Sequence, residues 1–379
     1  MTRIYLDHHT ATRPLTSVIE GILPFYNEHW GDTTAFHQMG QELLFYLKKD
    51  IESLHQELGA DQEDQFYFCS SGAEAINSVF LSHYLDYVLK TSQNHIITTN
   101  IEEAPILMSI KRLETLGCIE RILPVNAQGQ ITKELLEQSI LPETSLVSLS
   151  WANGLTGVIH PIEDLAAVCR KHQVRLHVDA SYMIGKTSFR FSDLSIDFLS
   201  FEGRLIHAPK GTGGLLVKKS DISFHPLVAG EAGENIPGIH AIAKAVEESS
   251  NHFDHLNLET ARLRDKLEKG IVNGIEDAIV FFKEVNRLPN CTAIGFPGVI
   301  SDALLYRLHR KGVYATQGGG HSQKLSHVLV ASGVDEILAQ CALSFSLSFE
   351  TTEEEIDYAI KTIVACVQEL KSYSRGVLR

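Results

Sequence analysis

Short apolar runs alternate with stretches of helical periodicity from about residue 60 onward, and this alternation constrains the fold more than any other feature of the chain. Strands are expected over 65–69, 95–99, 120–125, 145–150, 174–179, 196–201 and 214–218. Helices are expected between them, over 72–91, 105–117, 132–139 and 162–172. Strands interleaved with helices in this way form a largely parallel sheet covered on both faces. The expected fold class is therefore α/β, a three-layer sandwich around a seven-stranded sheet.

The pattern changes after a long helix expected over 239–270, which reads as a spine between two units. Beyond it come strands over 278–284, 292–296 and 341–348 and helices over 301–312 and 352–372. The alternation of Ala342-Leu343-Ser344-Phe345-Ser346-Leu347-Ser348 marks a half-buried strand, and Thr351 or Thr352 ahead of three glutamates marks a helix N-cap. The division expected is an N-terminal arm at 1–14, a large domain at 15–250 and a smaller C-terminal α/β domain at 251–379. Gly318-Gly319-Gly320 reads as a mobile loop.

Composition narrows the function. A chain of 379 residues with 44% apolar and 21% charged side chains has material for a substantial core. Its formal charge of -14 opposes docking on nucleic acid or anionic lipid, so neither partner is expected. No apolar run is long enough to span a membrane and the N-terminus lacks a signal-peptide pattern, which favours a cytoplasmic location. Cys69, Cys118, Cys169, Cys291, Cys341 and Cys366 are widely spaced and read as small buried side chains, with no metal site among them.

Several motifs then fall into one order. They are Tyr5-Leu6-Asp7-His8-His9-Thr10 in the arm, His37 in the next loop, Ser70-Ser71-Gly72-Ala73-Glu74, Asn153-Gly154-Leu155-Thr156-Gly157, His177-Val178-Asp179-Ala180, and Ala208-Pro209-Lys210-Gly211. Ser326-His327-Val328-Leu329 and the helix start at Thr351 continue the series. In this order the chain resembles the cysteine desulfurases of the aminotransferase class-V group, which are fold-type I pyridoxal-phosphate enzymes. The resemblance implies a fold-type I aminotransferase-like architecture, a homodimer, and a protein partner from sulfur or iron-sulfur metabolism.

Position by position, the resemblance also implies changed chemistry. Leu205 falls where the family carries its cofactor-linking lysine, and a leucine cannot form an imine. His321 falls where the sulfur-accepting cysteine would be, Glu103 where a histidine covers the cofactor ring, and Ser344 where an arginine holds the substrate carboxylate. Ala73 replaces a phosphate-binding threonine, Tyr182 a glutamine, and the loop at 230–235 looks shortened. Asp179, in the place that pairs with a pyridine nitrogen, and Asn153 persist. Ser200, Ser71 and Gly72 could still donate to an anion and Arg204 could offset part of the loss, so these six are the candidate cofactor-binding residues for a noncovalent pyridoxal phosphate.

The expectation drawn from these changes is a catalytically degenerate desulfurase-like protein with a structural, partner-binding or regulatory role and no catalytic residue of the family kind. The alternative is a repurposed enzyme, or a pyridoxal-phosphate-dependent enzyme of the class-V, cysteine desulfurase-related group. The repurposed form would draw on His8, His9, His37, His177, His207 and His321, with His321, beside a glycine loop, as the best candidate for a mobile acid or base. The cofactor-dependent form would need Lys210 as a substitute amine.

Overall fold

The computed structural model describes residues 3–219, 224–228, 234–319 and 323–377. Strand β1 (Ile4–Tyr5) lies in the arm. Then β2 (Gln65–Cys69), β3 (His95–Thr99), β4 (Ile119–Leu123), β5 (Thr144–Ser150), β6 (Arg175–Asp179), β7 (Phe198–Glu202) and β8 (Gly213–Val217) build one seven-stranded sheet in the order β2-β8-β7-β6-β5-β3-β4. All neighbours from β7 to β4 run parallel, and only β8 is antiparallel to those beside it. The fold class read from the alternation is the one observed. Buried faces explain the apolar runs: every residue of β3, β5 and β8 is buried.

A second sheet uses β9 (Ile279–Val280), β10 (Cys291–Gly295) and β12 (Ala342–Ser346) in the antiparallel order β12-β10-β9, while β11 (Val313–Tyr314) pairs with β1 in parallel. The arm therefore docks on the C-terminal part, with Asp7 bridging to Ser346. It then reaches the large sheet, where the Thr12 N–H and hydroxyl both donate to the Arg204 carbonyl at 2.9 and 2.8 Å.

Two expected elements differ. The long helix is interrupted: Ile236–Asn251 ends at His252, and after two short turns a second helix runs from Ala261 to Gly274. The Ser249-Ser250-Asn251 run propagates a helix poorly, and the His252 ring is held outside it, stacked on Phe349 at 4.1 Å. The strand expected over 278–284 shrinks to β9 because Phe282 sits at a φ of 54°, which breaks the ladder. The N-cap at Thr352 forms as expected: its hydroxyl accepts from the Glu355 N–H at 3.3 Å, and the Glu355 carboxylate accepts from the Thr352 N–H at 2.9 Å.

Candidate functional site

Parallel strands bring their carboxyl ends to one edge of the sheet, which is where α/β sheets form crevices. Here that edge carries Thr99, Ser150, Asp179 and Glu202 at the ends of β3, β5, β6 and β7. Beside them β2 turns into the helix Gly72–His83, with Ser71 as its N-cap accepting from the Glu74 N–H at 3.1 Å. Close packing needs small residues at this turn: a Cβ on Gly213 would lie 2.4 Å from the Ser71 carbonyl carbon.

The N-terminus of that helix is already engaged. The Gly72 N–H donates to a Glu202 carboxylate oxygen at 3.1 Å, and Ser70 donates through both its N–H and its hydroxyl to Glu74. Glu202 in turn faces Arg204, with nitrogen and oxygen 3.6 Å apart. The carboxylate complements the positive end of the helix.

A second cluster lies over Asn153 and Gly154. The Tyr182 ring packs so closely on Gly154 that a Cβ there would meet it at 2.3 Å. Its hydroxyl donates to Glu103 at 2.6 Å. Neighbouring Glu102 accepts from the Thr99 hydroxyl at 2.7 Å and from the Ser150 N–H and hydroxyl at 2.9 and 2.6 Å. Asn153 turns its carbonyl oxygen into its own loop, accepting from the Leu155 and Thr156 N–H groups at 3.1 and 3.0 Å. The remaining space is about 10 Å³, the lower limit of what a single water molecule needs.

Burial sets the electrostatics. It raises the carboxyls of Glu102 and Glu103 to about 7, and the facing Asp179 charge pushes both further in the same direction. Asp179 itself is raised to about 6 by burial, against the hydrogen bonds it accepts from the Ser181 N–H and hydroxyl at 3.1 and 2.6 Å. Burial and the Glu103 charge hold the Tyr182 hydroxyl well above its ordinary value. Ser200 completes a chain with its hydroxyl 2.9 Å from His177, whose other ring nitrogen lies 2.8 Å from the Ser148 hydroxyl. Desolvation lowers His177 to about 3, so this imidazole is neutral and structural at ordinary pH.

Over residues 4–233 the chain matches the aminotransferase class-V family. The chain belongs to that family. A cysteine desulfurase of Nostoc sp. is 34% identical over 385 residues, covering 99% of this chain and 95% of the relative. The cysteine desulfurase NifS of Azotobacter vinelandii is 33% identical over 387 residues, covering 99% and 95%. A solved structure of a NifS-like protein superposes with a TM-score of 0.88 at 31% identity, over 96% of this chain and 99% of that one.

These relatives correct the functional expectation. Similarity to named desulfurases along the whole chain points to a working enzyme, so the reading of a catalytically degenerate scaffold, binding partner or regulator is overturned. Replaced side chains at a few positions are weak grounds for inactivity, because they report how the family reaction runs and not whether another does.

The residues present do not fit a class-V pyridoxal phosphate. Leu205 offers no amine and is packed in the main core at 4% exposure. Glu202 occupies the helix N-terminus where a phosphate would need the Gly72 N–H, and its like charge opposes one. Tyr182 fills the face of Gly154, and Ser344 donates its hydroxyl to the Leu155 carbonyl at 2.6 Å. Among the six expected cofactor residues, Asp179 and Ser200 lie in contact, 3.4 Å apart, and Ser71 and Gly72 lie at the occupied turn. Asn153 spends its carbonyl oxygen internally, and Arg204 faces Glu202.

Other expectations sort themselves by position. Glu103 sits at the N-cap of the helix Ala104–Glu114, but its carboxyl makes no cap and turns to Tyr182 instead. Lys210 is exposed on the turn after Pro209, away from Leu205 in the core. Of the histidines, His8 and His207 come together, with ring centroids 6.4 Å apart, whereas His37 precedes the helix Gln38–Leu58 at the surface and His177 lies inside the sheet. His321 and the stretch at 230–233 lie outside the described residues. Glu102 and Glu202 were missed because a lone glutamate at or just beyond a strand end carries no pattern of its own.

Proposed function

We propose that the chain is an enzyme related to the cysteine desulfurases that uses repurposed chemistry in the inherited crevice. The full-length similarity to named desulfurases supports an enzyme, and the Glu103–Tyr182 pair supports where it works. A carboxyl raised to about 7 exchanges its proton near neutral pH, and a tyrosine hydroxyl beside it can donate to an oxygen on which charge develops. Glu103 keeps partial exposure, so a small molecule would meet its carboxyl from the solvent side and not in the space of about 10 Å³ over Asn153. The chemistry this pair suits is proton transfer at a carbon next to a carbonyl, and 2-oxo acids serve as activated carbonyl probes of it.

The experiment is a proton NMR screen in deuterated buffer against a panel of 2-oxo acids, with L-cysteine included. Solvent exchange or consumption of at least one 2-oxo acid is the expected result. No change in any compound overturns the reading, and sulfide release from L-cysteine would replace it with the family reaction.

The same reading places the chain in the cytoplasm, where its six unpaired cysteines, all buried, suit a reducing compartment. It also makes the chain a homodimer. Tyr26, Trp30, Phe36 and Phe45 are 66%, 65%, 99% and 67% exposed on neighbouring N-terminal segments, an apolar face that a second copy would cover. A sulfur-transfer protein partner remains part of the proposal by kinship alone.

A further inference from the structure

Lys186 is a half-buried lysine whose side chain borders open space on two sides. It lines a groove of about 1000 Å³ together with Trp151, His160, Phe253 and Arg287. It also lines a cavity of about 20 Å³ with His8, Leu205, His207, Asn290 and Phe349. The cavity holds about one water molecule, whereas the groove has the capacity of a small-molecule site.

Several facts distinguish this place. Among the described residues nothing accepts a hydrogen bond from the Lys186 ammonium. The Asn290 side-chain oxygen Oδ1 is buried at the cavity without a partner, which marks a spot built for a polar guest. The turn that presents the lysine is fixed: Gly185 has a φ of 72° and lies so close to Ser249 that a Cβ would meet that side chain at 2.4 Å. The Lys186 N–H is tied to the Met183 carbonyl at 2.9 Å.

We propose that Lys186 is a reactive amine that forms an imine with a small aldehyde entering through this groove. The place is separate from the Glu103–Tyr182 pair, and the inference does not rest on the proton-transfer reading. The neutral amine's lone pair forms the C–N bond while the carbonyl π pair moves to oxygen and takes one amine proton. The carbinolamine then loses that oxygen as water with the second amine proton, leaving C=N.

The surroundings keep the amine neutral enough to react. Burial lowers Lys186 to about 8, with Cys291 acting in the opposite direction. From the arm His8 and His9, and from the loop after β7 His207, face it as imidazoles that burial lowers to about 3, 3 and 4, so at neutral pH none of them charges the site. On the groove side Glu163, Asp164 and Asp193 are offset by Arg170, Arg190 and Arg287, and Arg287 is paired with Glu268 at 3.1 Å.

Glyoxylate with cyanoborohydride is the probe, applied to the full native chain at pH 7.5 and read by peptide mapping. A hydride then converts the imine to a stable secondary amine. We expect Lys186 to be modified at least about tenfold faster than the average lysine, because an ordinary lysine has far less neutral amine at that pH. Its labelling should rise with pH to a midpoint near 8. Lys186→Arg and Lys186→Met should each remove that adduct and leave the others. Labelling spread over surface lysines, with Lys186 modified only after unfolding in urea, overturns the proposal, and so does a native chain carrying no adduct.

Discussion

At the scale of single residues, the pocket hinges on a tyrosine and a glutamate that meet because Gly154 leaves room for the ring. Tyr182→Phe keeps the ring and removes the donor, so a buried carboxyl loses its partner. A loss of about 1–2 kcal/mol in urea unfolding is expected, with little change in the slope. Glu103 also makes stability depend on pH. Its folded value of about 7 lies above the unfolded value, so the native state holds the extra proton and stability falls as pH rises from about 4.5 to about 7. Buried histidines work in the other direction at lower pH, which makes a difference measurement the right one. Glu103→Gln should therefore gain on the wild type across that window by about 2–3 kcal/mol, seen as a widening gap in urea midpoints; a constant gap contradicts the shifted carboxyl.

At the scale of elements, the helix Gly72–His83 owes its entry to a carboxylate from another strand. Glu202→Ala leaves the Gly72 N–H without its acceptor and should cost about 1 kcal/mol. It should also make the fold responsive to inorganic phosphate, with a rise in Tm that the wild type does not show. An equal response in both chains would mean that Glu202 does not hold the anion position. Much of this level was legible in the sequence. The alternation gave away all seven strands of the large sheet; burial on both faces explains the apolar central ones, whereas the edge strands β2 and β4 are largely exposed or half-buried. The break at His252 was not legible, since it depends on a ring stacking against Phe349 almost a hundred residues away in sequence. The site was half legible: Leu205, Glu103, Tyr182 and Asp179 stood out by position. That Glu202 would reach the Gly72 N–H, and that Lys186 would face a groove, depended on tertiary placement that no local pattern records.

At the scale of the whole molecule, the N-terminal arm ties both sheets together, pairing with β11 and then with the loop after β7. Tyr26, Trp30, Phe36 and Phe45 stand exposed on the N-terminal segments, and a two-fold partner is expected to cover them. Sedimentation at micromolar concentration should give a dimer, and Phe45→Asp should shift it toward monomer with the fold retained by circular dichroism. A wild-type monomer would contradict the dimer. Kinship along the full chain points to an enzyme, and in the function we propose its reaction has moved onto its own acid–base side chains.

The comparison that bears on this most directly is the rate of 2-oxo acid exchange or turnover in the wild type against Glu103→Gln, both shown to be folded. A wild-type rate that is lost in Glu103→Gln by at least about a hundredfold is the predicted result. Equal rates in the two chains, or none in either, would contradict it.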